Sequence, residues 1–134
     1  MIYVLDTCAA ISVAFNGEKS EQYKSLIMDA DKILAPTLFD SEITNVLWRY
    51  VKGGYLDEEN AKKTLAYLLQ IVDEFVPTSE LALEALHESI RLNHSVYDML
   101  FLVLARRYSA TLITSDEKLR LLAVDQGVNL SLKC

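Results

Sequence analysis

Four carboxylates stand where their type and position could do chemistry: Asp6, Glu42, Asp98 and Asp116. Asp6 follows an apolar run directly, and Asp116 follows the β-branched run 111–114. Both positions suit a helix N-cap, and both also suit the carboxyl edge of a parallel sheet, where ligands bind. Glu42 falls three residues after Phe39 and four before Val46, on or beside a helical apolar stripe. A carboxylate there is costly unless it is paired, holds a metal, or reaches water at its tip. Asp98 opens a stretch that is almost wholly apolar to Ala105. Ser95 and Asp98 have the spacing of a capping box, a role compatible with a carboxylate facing a cleft. If the strands before Asp6 and Asp116 are neighbours, their carboxylates repel, and four converging acids call for a cation. Oxygen donors without a His or Cys cluster favour Mg²⁺ or Mn²⁺ over zinc. Thr7, Asn45, Ser95 and Thr114 are the polar groups placed to support them, and Glu117 is either a further support or a first-turn acid favoured by the helix dipole. His87 reads as a surface residue and His94 as a loop residue without a catalytic role, which leaves no histidine base.

The elements that must hold these acids follow from periodicity. Residues 2–5 form a short buried strand and residues 8–15 a helix ended by Asn16-Gly17. A second helix over 21–29 carries Tyr23, Leu26 and Ile27 on one side. Residues 32–35 are a strand closed by Pro36. The spacing of Phe39, Ile43, Val46, Leu47 and Tyr50 predicts a helix over 38–52, stopped at Gly53-Gly54. Asp57 caps a helix to about Val72, and residues 74–76 make a short strand. Ser79 caps a helix to about Arg91, and Ser95 caps one over 96–108. Residues 111–114 are a strand, a last helix opens at Asp116 and ends at Gly127, and residues 128–130 are a candidate edge strand. Strands alternating with helix pairs imply an α/β fold whose mostly parallel sheet of four to five strands is covered on both faces. Tyr67 and Ile71 are either core or part of an interface.

The chain has 134 residues, 51% hydrophobic and 24% charged, which suits one domain spanning 1–134. The net charge of −6 argues against non-specific, phosphate-driven nucleic-acid binding. It leaves a nucleic-acid enzyme open, provided basic residues gather locally. Arg49 with Lys52, Lys62-Lys63, Arg106-Arg107, and Lys118 with Arg120 are the candidate clusters. Two cysteines, Cys8 and Cys134, make neither a disulfide framework nor a zinc spacing. No signal peptide or membrane span is expected, and the expected compartment is the cytoplasm.

In this order the motifs resemble the PIN-domain ribonucleases, and most closely the toxin halves of bacterial and archaeal VapBC toxin–antitoxin pairs. The resemblance rests on Val4-Leu5-Asp6-Thr7, on Pro36 through Glu42 to Asn45-Val46-Leu47, on Tyr97-Asp98 with its apolar helix, and on Leu112-Ile113-Thr114-Ser115-Asp116. It implies a flap-nuclease-like three-layer α/β/α sandwich and a Mg²⁺- or Mn²⁺-dependent endoribonuclease. It further implies an RNA substrate, a small cognate antitoxin and a homodimer. By the same resemblance Asp6, Glu42, Asp98 and Asp116 are catalytic and metal-binding, Glu42 directly or through water, and Thr114 supports Asp116 or a water. Cys8 stands where a small polar residue is common, and is expected to be a buried thiol.

Two other classes compete. A haloacid-dehalogenase-type phosphatase wants Asp-x-Asp after the first strand, and Asp6-Thr7-Cys8 lacks the second acid. A response-regulator receiver wants a further acid pair and a late strand-end lysine, and neither is present. A non-catalytic PIN-like scaffold that binds RNA or protein is the remaining alternative.

Overall fold

The computed structural model describes residues 1–131. Four parallel strands form the sheet: β1 (Ile2–Leu5), β2 (Lys32–Pro36), β3 (Glu74–Val76) and β4 (Thr111–Ile113), in the order β3-β2-β1-β4. The short apolar runs lack alternation because helices cover both faces. Residues 128–130 add only a single parallel bridge, Leu112 with Leu130, rather than a strand. Cys134 lies outside the described residues.

Among the described residues seven helices flank the sheet: α1 (Thr7–Ala14), α2 (Ser20–Asp29), α3 (Leu38–Lys52), α4 (Glu58–Ile71), α5 (Thr78–Leu92), α6 (Val96–Arg107) and α7 (Glu117–Asp125). Helix α6 packs on β1, β2 and β4, with α5 against it, while α3 packs on β2 with α1 and α4 beside it. All seven residues from Met99 to Ala105 are buried, so α6 is apolar on every side, as expected of an interior helix. Its leucines and Phe101 each contribute about 1.5–3 kcal/mol of burial. Phe39, Ile43 and Leu47 form the buried stripe of α3.

Helix starts depart from the sequence reading in two places. Asp57 caps α4 through the Asn60 N–H at 2.7 Å, as expected. Ser79 does not cap α5, which already begins at Thr78. The Thr78 hydroxyl instead accepts from the Leu38 N–H at 3.1 Å, and the Thr37 hydroxyl accepts from the Thr78 N–H at 2.9 Å. This reciprocal pair satisfies orphan donors at the starts of both α3 and α5 and fixes α3 against the end of β3. Its partners are 41 residues apart, so no local pattern announces it. In the second place, Ser95 caps α6 as expected, its hydroxyl accepting from the Tyr97 N–H at 3.2 Å, but Asp98 turns elsewhere, so the capping box does not form.

The sheet order places the site. The chain runs outward from β1 through β2 to β3, then returns to the other side of β1 as β4. The crevice beyond the carboxyl ends of β1 and β4 is therefore the topological switch point, the general ligand position of open α/β sheets. Asp6 and the segment 114–116 emerge there.

Candidate metal centre at the switch point

Asp6 is 4% exposed and caps α1, its Oδ1 accepting from the Ala9 N–H at 2.9 Å. Its Oδ2 accepts from the hydroxyl of Thr114, which is fully buried. Thr114 Oγ1 in turn accepts from the Asp116 N–H at 3.0 Å. The threonine thus supports the carboxylate of Asp6 and the backbone of Asp116. It meets Asp116 through the backbone N–H rather than through the carboxylate. Asp116 caps α7, its Oδ1 accepting from the Leu119 N–H at 3.0 Å. Both N-cap readings are borne out, and both caps sit at the crevice.

Glu42 is half-buried beside the α3 stripe, and its Oε1 accepts from the Thr7 hydroxyl at 2.6 Å. Asp98 is half-buried in the first turn of α6. Its Oδ2 lies 2.7 Å from His94 Nε2. An ionised carboxylate only accepts, so Nε2 carries the proton in that pair. His94, read from the sequence as a loop residue without a role, is thus the anchor of Asp98. A histidine four residues before an acid was the available signal, but His94 precedes the helix, where that spacing does not guarantee a meeting. Of the other supports, Asn45 is exposed and its side chain has no hydrogen bond among the described residues, and Glu117 is an exposed first-turn acid. His87 is on the surface, as expected.

One pattern joins three of the acids. Glu42, Asp98 and Asp116 each use one oxygen on an anchor and leave the other without a hydrogen bond among the described residues. Their charges act on one another. The Asp6 carboxyl is pushed up to about 7, first by burial, with repulsion from Asp98 and Asp116, against the lowering effect of Thr114 and Ala9. Glu42 is raised by burial and by Asp98, against the Thr7 hydroxyl. Cys8 is exposed rather than buried. Its thiol is nonetheless pushed up to about 12, first by desolvation and then by Asp6, Asp116, Asp98 and Glu42 together. The four carboxylates therefore share one electrostatic neighbourhood. As the side chains lie, no three His, Cys, Asp or Glu groups among the described residues form a ready cage for one ion. The ring is open and must tighten for one cation to be shared. The donor chemistry fits: anchored carboxylates with open oxygens, raised pKa values that a cation would relieve, and no soft ligand among them.

The basic clusters sort by partner. Lys62 and Lys63 pair with Glu58 and Glu59, and Arg106 and Arg107 with Glu84. Arg120 is buried, donating to the Thr114 carbonyl at 3.3 Å. Arg49 is exposed and has no ion pair or hydrogen bond from its side chain among the described residues.

Fold and acid edge together define an α/β sandwich with a candidate cation site at its switch point. The PIN domain family matches residues 3–125, and this chain belongs to that family. It is 26% identical over 121 residues to Ribonuclease VapC3 of Pyrobaculum aerophilum, covering 89% of this chain and 92% of that protein. It is 29% identical over 117 residues to Ribonuclease VapC1 of Mycobacterium tuberculosis, covering 87% and 86%. A shorter match, 44% identical over 52 residues, to GTPase Era of Ectopseudomonas mendocina covers 39% of this chain and 17% of that protein. The four glycines here lack the spacing of a phosphate-binding P-loop. Among solved structures, PAE2754 from Pyrobaculum aerophilum superposes with a TM-score of 0.71 at 22% identity, over 90% of this chain and 86% of that one. VapBC2 from Rickettsia felis, bound to a promoter DNA fragment, gives 0.68 at 16% identity over 98% of both. The α/β sandwich expected from the sequence is the observed fold.

Proposed function

We propose that this chain, acting as one PIN-like unit over residues 1–134, is a divalent-metal-dependent endoribonuclease and the toxin of a toxin–antitoxin pair. The observation that carries the reading is the anchored-and-open arrangement of Glu42, Asp98 and Asp116 around the buried Asp6. Asp6, Asp98 and Asp116 would hold Mg²⁺ or Mn²⁺ directly, with Glu42 beside them or acting through water. Bound there, the cation would supply Lewis-acid neutralisation of a phosphodiester and activate water for attack. The chain's own groups set up that chemistry. Thr7, Thr114 and His94 anchor three of the carboxylates, which limits how they can turn as the open ring tightens on a cation. Burial pushes the Asp6 carboxyl up to about 7, so near neutral pH a cation there would compete with a proton.

The relatives named as ribonucleases support RNA as substrate, and the toxin–antitoxin complex among the structural neighbours supports a small antitoxin partner. Leu83, Leu86 and Ile90 form one exposed stripe on α5, which supports a homodimer through that face. Tyr67 of α4 is exposed as well, whereas Ile71 packs on the core. No helix among the described residues is long and apolar enough to cross a membrane.

The test is cleavage of transfer, ribosomal and messenger RNA by purified wild type and Asp98→Asn, with Mg²⁺, Mn²⁺ or chelator. Wild type should cut only with a cation, and the variant should lose roughly a hundredfold or more. Cleavage that survives chelator, or that Asp98→Asn leaves intact, overturns the reading. Cation binding without any cleavage would favour the scaffold alternative.

A further inference from the structure

A groove runs away from the acids between α1 and α3. Its walls are Thr7, Cys8 and Ile11 on α1 and Val46, Arg49 and Tyr50 on α3, which border an open groove of about 410 Å³. That volume falls within the range of small-ligand sites. The residues follow helical spacing. Glu42, Val46 and Tyr50 are successive fours on α3, and Thr7 and Ile11 stand four apart on α1. At the groove's near end Thr7 donates to Glu42, which ties the groove to one of the acids. At its far end the Tyr50 ring packs edge-on against Phe15, with centroids 5.1 Å apart and planes at 64°. From Glu42 to Tyr50 the helix rises about 12 Å, a span of a few nucleotides of single strand.

The contents of the groove match one ligand chemistry. An aromatic ring held in place offers a face for stacking, Ile11 and Val46 give aliphatic walls, and Arg49 brings an unpaired cation. Stacking rings combined with backbone cations are how proteins hold single-stranded nucleic acid without reading its sequence. In a chain of net charge −6 many cations are tied to carboxylates, and this one is left open in the groove that Thr7 and Cys8 also line. We propose that the α1–α3 groove is a subsite for single-stranded RNA, in which Tyr50 stacks on a base and Arg49 contacts a phosphate flanking the cut. The proposal rests on the endoribonuclease reading above and names where that substrate lies.

Binding of a 5′-fluorescein-labelled 15-nucleotide single-stranded RNA is measured by fluorescence anisotropy in Mg²⁺, on the Asp98→Asn background, across a salt series. Tyr50→Leu should weaken binding at least about fivefold, the loss of one base stack, while Tyr50→Phe stays near the parent. Arg49→Ala should lower the slope of log affinity against log salt by about 0.7, one phosphate contact on a single strand. Lys62→Ala, whose ammonium is paired with Glu58, should change neither. Circular dichroism melts confirm that each variant is folded, and Arg49 is exposed enough for its removal to spare the fold. If Tyr50→Leu and Arg49→Ala match the parent in affinity and slope, the subsite is wrong, and a peptide of a protein partner becomes the better occupant. If wild type still cuts RNA in that case, the endoribonuclease reading stands alone. If the parent binds no RNA and wild type cuts none, both fall together.

Discussion

Replacing Asp6 with Asn should stabilise the cation-free protein at alkaline pH while abolishing cation binding. The Asp6 carboxyl has a folded-state pKa of about 7 against its ordinary 3.8, chiefly because it is buried. A carboxyl whose pKa rises on folding binds its proton more tightly in the folded state, so it lowers stability as pH climbs from about 4 to about 7. Across that interval the penalty reaches about 4 kcal/mol. The substitution removes the charge but also changes a donor–acceptor pair. Asn keeps an acceptor for the Ala9 N–H, whereas its amide nitrogen meets the Thr114 hydroxyl, which must turn to accept from it, at a cost of about 1 kcal/mol. A net gain of about 2–3 kcal/mol remains at pH 8, or roughly 6–15 °C in Tm for a chain of this size. Thermal melts of both proteins in chelator, at pH 4.5 and pH 8, test the sign and the window. The gap should be wide at pH 8 and nearly closed at pH 4.5. Adding Mn²⁺ at pH 8 should raise the wild-type midpoint and leave the variant's unchanged. A variant no more stable than wild type at pH 8 in chelator, or a gap independent of pH, would refute the burial argument. An Mn²⁺ shift that survives in the variant would remove Asp6 from the cation site.

Three further outcomes follow from the anchors. Thr114→Val should cost about 2–4 kcal/mol in urea unfolding, because the Asp6 carboxylate and the Asp116 N–H both lose a buried partner; a loss below 0.5 kcal/mol, on the order of a neutral surface change, would contradict the linkage. His94→Ala should weaken Mn²⁺ binding by about tenfold or more in titration calorimetry, with His94→Gln recovering part of it; equal affinities would mean that Asp98 needs no anchor. Cys8, exposed with a thiol pKa pushed up to about 12, should alkylate slowly with iodoacetamide at pH 8 in chelator and faster once Mn²⁺ neutralises the four acids. A rate indifferent to Mn²⁺ would show that the cation does not enter this ring.

The sequence by itself determined the element order and the four acids. Short apolar runs, the 39–43–47 stripe and the caps at Asp6, Asp57 and Asp116 are local signals, because each depends on neighbours within a turn or a strand. Asp6 and Asp116 were legible as caps and as strand-end acids at once, and both descriptions hold. What the tertiary structure alone decided is how the acids are held. Thr114 reaches Asp6 across 108 residues, Thr7 reaches Glu42 across 35, and Thr37 meets Thr78 across 41. Such pairings depend on the sheet order β3-β2-β1-β4, which sets β1 beside β4 and brings their two ends to one crevice. His94 gained its role in the same way, since the turn before α6 aims its ring at Asp98. The four acids could be named from the chain, but the open oxygen on each of Glu42, Asp98 and Asp116, and the upward push that burial gives the Asp6 carboxyl, exist only once distant hydroxyls, a histidine and a low-dielectric interior surround them.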